Sequence, residues 1–200
     1  VIINGDMAIS QRSTSVAGVD ASENCQTVDR WSQWLSAAGT WTNTQEAMSV
    51  ADYNTTGFKK AWKWDCTTAD ASLAVNAYFQ ISYRIEGNTV QMFKKGTTTA
   101  EAYTLAFWVK STKTGTFIAE LNDVTNERII SVAYTVDTTD TWEKKVLNFI
   151  ADTNGETIAD SNARGMAIYF TVAVGTNFTS GTLNTIWNDD SGITANRCVG

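Results

Sequence analysis

Two hundred residues suit one domain and can bury a substantial core, with 43% of them hydrophobic and only 18% charged. A net charge of −6 and a pI near 4.6 argue against a non-specific nucleic-acid binder, since phosphate neutralisation needs a basic stripe and lysines gather only in twos and threes, as in "FKKAWKW" and the "FKK" before Gly96. No run reaches the roughly 18 apolar residues of a membrane span, and "VIINGDMAIS" lacks the charged and apolar regions of a signal peptide.

Proline is absent, and Thr, Ser and Asn supply much of the polarity, a composition that favours strands joined by Gly and Asx turns. In chain order, "NGDMAISQR" (Asn4 to Arg12) reads as an opening strand or arm, and "QTVDRWSQWL", "EAMSVAD" and "FKKAWKWDCT" as the first strands. In the last of these Phe58, Trp62 and Trp64 share a face opposite Lys59, Ala61 and Lys63, so the two tryptophans are expected in the core. "AYFQISYRIE" sets Phe79, Ile81, Tyr83 and Ile85 against Tyr78, Gln80, Ser82, Arg84 and Glu86. "GNTVQMFKKG" is the one expected short helix, opened by Asn88 and closed by Gly96. "AYTLAFWVKS" puts Tyr103, Leu105, Phe107 and Val109 inward, with Thr104, Ala106, Trp108 and Lys110 outward. "ERIISVAYTVD", "TWEKKVLNFIAD" and "GMAIYFTVAVG" continue the period of two. Trp41 in "GTWTNTQ" and Trp187 in "NTIWNDDSG" are expected in loops, either as ligand or interface anchors or tucked over the end of the fold.

Eight or more such strands predict an all-β fold, an antiparallel two-sheet β-sandwich of jelly-roll type, with one wet face on each sheet. One domain over residues 1–200 is expected. The end, "SGITANRCVG", looks like a turn entering a further strand, so either the chain is a fragment lacking its closing strand or its first strand is completed by something else. Cys25, Cys66 and Cys198 are odd in number and scattered, so reduced thiols are expected rather than a zinc site or disulfide framework.

In sequence, "INGDMAISQR", "TVDRW", "YRIEGNTVQMF", "YTLAFWVKSTKTGTFIAELND" and "DTWEKKVLNF" together resemble a recurrent module of bacteriophage virion proteins, the tail-fibre, head-fibre or similar appendage proteins found notably in marine phages. The resemblance runs through nearly the whole chain. It implies a carbohydrate-binding-module-like jelly roll without enzymatic activity, located in the virion and forming homo-oligomers, commonly trimers. The implied partners are other virion proteins and host cell-surface carbohydrate.

Without a single histidine, the chain has no Ser-His-Asp or Cys-His arrangement and lacks the usual zinc ligands. Catalysis would need a carboxylate pair, as in glycoside hydrolysis; of Asp29, Glu86, Glu120, Asp123 and Glu143, only Glu86 and Glu120 are expected on one outer surface. Sugar binding needs an aromatic platform with polar groups beside it. If the strands that carry them are neighbours, Tyr78, Gln80, Arg84, Glu86, Trp108 and Lys110, joined by Tyr169, supply such a face, and Trp41 is a further candidate. The alternative is that Trp108 is covered and that Arg84 and Glu86 form an ordinary ion pair. No cofactor is expected; a structural calcium would draw on Asp6, Asp189 or Asp190. The non-enzymatic virion reading stands first. A carbohydrate-binding module or glycan depolymerase, and a capsid decoration protein binding only virion proteins, are the alternatives.

Overall fold

In the computed structural model, which describes residues 2–189 and 196–198, alternation becomes twelve strands. They are β1 (Ser15–Val19), β2 (Glu23–Asn24), β3 (Trp31–Ser36), β4 (Thr40–Ala47), β5 (Lys60–Thr68) and β6 (Tyr78–Glu86), then β7 (Tyr103–Val109), β8 (Gly115–Asp123), β9 (Arg128–Val136), β10 (Glu143–Phe149), β11 (Arg164–Val174) and β12 (Asn188–Asp189). The fold is mostly β, and its sheets are antiparallel. Seven strands pair in the order β12-β9-β8-β11-β6-β3-β2, three as β1-β4-β5 and two as β10-β7.

The apolar faces of the two smaller sheets meet the seven-stranded one. Trp41 and Trp64 of the three-stranded sheet lie 4.6 and 5.0 Å from the Phe79 ring, and Trp62 lies 6.1 Å from Trp31. From the two-stranded sheet, Phe107 packs edge-on against Phe170 and Tyr134. The main core gathers Val28, Trp31, Tyr83, Leu121, Ile130, Phe149, Met166 and Ile168; a second, around Val19, Leu35, Ala38 and Phe79, touches it through Ile81. Burying a large aromatic or aliphatic side chain contributes about 1.5–3 kcal/mol, so these rings dominate the cohesion between sheets.

Several expected boundaries shift. "QTVDRWSQWL" becomes extended only at Trp31, because Cys25 (φ 44°) and Arg30 (φ 74°) turn the chain first. "EAMSVAD" is not a strand: β4 stops at Ala47, and α1 (Val50–Thr56) follows. The Ser49 side chain accepts from the Asp52 amide, while Gly57, at φ 79°, donates its N–H back to Tyr53. Local caps thus override the weak alternation there. The expected helix near Gly96 is a single turn, α2 (Gly87–Val90), continued by a 3-10 turn over Gln91–Phe93. Of the two tryptophans expected in loops, Trp41 lies in a strand, whereas Trp187 lies in the loop before β12 and is tucked in rather than exposed. Trp41 sits within β4, its indole N–H donating to the Ala38 carbonyl, and Trp187 is 7% exposed with its N–H on Ile150.

"NGDMAISQR" is not a strand; it is tied to "TVDRW" within the same chain. The Asn4 amide donates to the carbonyls of Ile9 and Asp29, and its side-chain oxygen accepts from the Ile9 amide. The Trp31 indole N–H donates to the Asn4 carbonyl, and Asp29 faces Arg12 at 3.6 Å. Asn4 itself has φ 57°, a conformation that asparagine tolerates better than most residues.

The outer face of the seven-stranded sheet is not uniformly wet. After β11 the chain folds back across β8 and β9. The Asn184 carbonyl accepts from the Ser131 amide, its side chain donates to Ile129, and the Cys198 thiol contacts the Thr171 hydroxyl at 3.2 Å. Arg197 engages Glu120 through both Nε and Nη2. Glu120 and Ser131 are fully buried as a result. The expected turn and strand over "SGITANRCVG" fall mostly outside the described residues. All three cysteines are free thiols, and burial foremost pushes the Cys198 thiol up to about 11.

Candidate functional site

β6 lies inside the seven-stranded sheet, between β11 and β3, with Phe79, Tyr83 and Ile85 in the core and its polar side therefore pointing away from it. Register then fixes which neighbours share that side: Ser32 lies opposite Ser82 and Trp34 opposite Gln80 on β3, while on β11 Ala167 lies opposite Arg84 and Arg164 opposite Glu86. The covering residues, 176–189 and 196–198, divide this face. At its end, Tyr78 meets the Phe178 ring edge-on and the Gln80 amide donates to Thr171. Tyr169 is 8% exposed.

The other end is open. A depression of about 260 Å³ is lined by Asn24, Cys25, Arg30, Ser32, Arg84, Ile85, Glu86, Asn162 and Arg164. Arg30 comes from the left-handed residue before β3, Arg84 and Glu86 from the end of β6, and Arg164 from the first position of β11. Arg30 pairs with Glu86 at 3.2 Å, each side chain more than a third exposed. Arg84 sets its guanidinium 5.7 Å from the Trp34 ring, and its Nε is buried with no acceptor among the described residues. Arg84 and Arg164 form no ion pair within 4.0 Å among the described residues. Three guanidiniums therefore face one carboxylate in a chain of net charge −6.

The expected sugar-binding face is thus split. Arg84 and Glu86 lie in the open depression, and Tyr78 and Gln80 share their face but meet the covering segment. Trp108 and Lys110 are elsewhere, because β7 pairs only with β10 and is not a neighbour of β6. Trp108 lies opposite Lys144 on the outside of the two-stranded sheet, and Lys110 sits 5.9 Å from the Trp142 ring and 4.0 Å from Asp52. Trp41 belongs to the second core cluster. Arg84 and Glu86 do not pair with each other; Arg30 is the partner of Glu86. Arg30, Trp34 and Arg164 were not anticipated, yet parity in "DRWSQWL" puts Arg30, Ser32 and Trp34 opposite Trp31 and Leu35, the signal that would have found two of them.

Glu86 and Glu120 do share the outer face. However, their β11 partners Arg164 and Tyr169 are five residues apart, an offset along the strand of roughly 16 Å at about 3.3 Å per residue, and the two acids also stand on opposite sides of β11, well beyond the ~5–9.5 Å of a glycosidase pair. Glu120 is also sealed under Arg197. Of the other acids, Asp29 holds Gln11 and Arg12, and Glu143 accepts from the amides of Asp137 and Thr138 and pairs with Lys145 at 2.6 Å. Asp123 and Asp152 flank the buried Lys95 at 2.6 and 3.0 Å, with Arg128 on the outer side of Asp152.

Asp6 is exposed and receives only the Ala8 amide at 3.4 Å, Asp189 lies opposite Arg128 in β12, and Asp190 lies outside the described residues. Among the described residues, no group of three or more acidic, Cys or His side chains is placed to hold a metal ion. No helix among them is long and apolar enough to cross a membrane. Compared with protein-family models, curated proteins and solved structures, the chain matches none.

Proposed function

We propose that this chain is a non-enzymatic structural domain of a bacteriophage virion, from a tail- or head-fibre appendage, serving particle assembly and host attachment through surface glycans. The architecture proposed with it is a jelly-roll sandwich, in which the seven-stranded sheet forms one layer and the two smaller sheets form the other. The ordered likeness of five sequence stretches to phage appendage modules supports the virion part of the reading. One structural observation supports the attachment part: the open end of the outer face holds two arginines free of ion pairs among the described residues, one of which, Arg84, lies over the Trp34 indole ring. Guanidiniums donate to sugar hydroxyls and ring oxygens, and an indole offers the flat apolar surface that a pyranose face prefers. A single such site is weak, and trimeric display would raise its avidity through effective concentration.

The test is a glycan array probed with the full chain and with Trp34→Ala, alongside light scattering for the oligomeric state. Glycan binding that falls at least tenfold in Trp34→Ala, from an oligomer, supports the reading. An array on which the wild-type oligomer binds nothing overturns the attachment role.

A further inference from the structure

We infer that the depression bounded by Arg30, Arg84 and Arg164 takes the acidic group, a carboxylate or a sulfate ester, of an anionic cell-surface glycan. This inference rests on the attachment reading and adds the charge class of the sugar. A neutral-sugar site would not need this charge pattern. Glu86 neutralises Arg30 alone, at 3.2 Å, which leaves Arg84 and Arg164 on adjacent strands with no carboxylate partner among the described residues. Like charges brought together on a sheet face repel, and a buried donor without an acceptor costs about 1–3 kcal/mol. The Arg84 Nε is such a donor. An incoming oxyanion relieves both penalties at once, because the guanidinium fork presents paired N–H groups to carboxylate or sulfate oxygens.

The remaining lining suits the rest of a sugar. Asn24, Ser32 and Asn162 bring neutral donors and acceptors for hydroxyls, and the Trp34 ring lies 5.7 Å from the Arg84 guanidinium. At about 260 Å³ the space lies below the ~300–1,000 Å³ of pockets for drug-sized ligands and fits one sugar residue of a longer chain. Glu86 closes the positive patch on one side, so it offers no continuous track for the evenly spaced phosphates of nucleic acid.

The experiment titrates the full chain with a uronic-acid oligosaccharide, a sulfated oligosaccharide and a size-matched neutral oligosaccharide, at low and high salt. Cys25, which lines the depression, supplies a second readout as the rate of thiol modification in a Cys66→Ser background. Support is at least tenfold tighter binding of one acidic oligosaccharide than of the neutral one, weakening with salt and slowing Cys25 modification. Arg164→Gln and Arg84→Gln should each lose that preference at least tenfold, while Arg164→Lys, which keeps the charge, retains part of it. Whichever acidic arm binds identifies the group. Equal binding of neutral and acidic sugars, or acidic binding untouched by both Gln variants, overturns this inference and leaves the glycan reading intact. Binding of no oligosaccharide at all overturns both.

Discussion

The two adjacent lysines of "FKKG" should behave in opposite ways. Lys95 is 3% exposed, with Asp123 and Asp152 at 2.6 and 3.0 Å and the Trp187 ring 5.5 Å away. Removing one partner of a buried ion pair typically costs about 3–5 kcal/mol, because the remaining charge stays buried and uncompensated. Lys95→Met should fall at the low end, about 3 kcal/mol. Asp152 keeps its two contacts to Arg128, and Asp123 keeps the amides of Thr125 and Asn126 and the Asn126 side chain. For a domain of this size, 1 kcal/mol moves Tm by about 2–4 °C, so a drop of roughly 6–12 °C is expected. Lys94 pairs with Glu101 in the open, with side chains 51% and 58% exposed, and Lys94→Met should change stability by less than about 0.5 kcal/mol. The pH dependence adds a second check. Burial pushes the Asp152 carboxyl up, but hydrogen bonds from Arg128 and Lys95 more than offset this and hold it below its ordinary 3.8. Its stabilisation is therefore present above pH 3.8 and is lost as pH falls through the lower folded value. Without Lys95 that folded value rises, so the deficit of Lys95→Met should be full near neutrality and shrink on acidification. Urea denaturation of the wild type and both variants across pH measures all of this. A Lys95→Met deficit below about 1 kcal/mol at pH 7, or equal deficits in the two variants, would refute the reasoning.

Three further outcomes are expected. Glu143→Gln should flatten the acid limb of the stability curve: the hydrogen bond with Lys145, followed by those from the Thr138 and Asp137 amides, lowers this carboxyl to about 2, so its contribution is held above its ordinary 4.5 and lost between there and about pH 2. An unchanged curve between those values would remove Glu143 from the account. Asn4→Ala deletes three hydrogen bonds at a residue 8% exposed, at about 1 kcal/mol each, and should open residues 3–12 to limited proteolysis before global unfolding; cleavage at the wild-type rate contradicts the clamp. Gly96→Ala should destabilise by at least about 2 kcal/mol in the same urea assay, since its φ is +79° and an added Cβ would meet the backbone carbonyl of Glu156 at 2.7 Å; a neutral result would show that this turn relaxes freely.

What the sequence determines here is local. Period-two alternation gives the strands and tells the two sides of each apart: Phe79, Tyr83 and Ile85 point inward while Arg84 and Glu86 point outward, because adjacent side chains on a strand must point to opposite faces. Missing from that pattern is the identity of each strand's neighbour. Trp108 and Arg84 have the same outward parity, yet the pairing of β7 with β10 puts them in different sheets, and the pairing of β6 with β3 and β11 brings in Trp34 and Arg164 instead. Burial of polar residues is likewise non-local. Glu120 and Ser131 look solvent-facing by type and parity, and only the returning segment with Arg197 covers them. Lys94 and Lys95 are identical in sequence, and a single residue's rotation at the end of the 3-10 turn leaves one in water and takes the other among buried carboxylates. Strand order, the covering segment and the arginine depression all depend on contacts between residues far apart in the chain, which alternation along a single strand cannot encode.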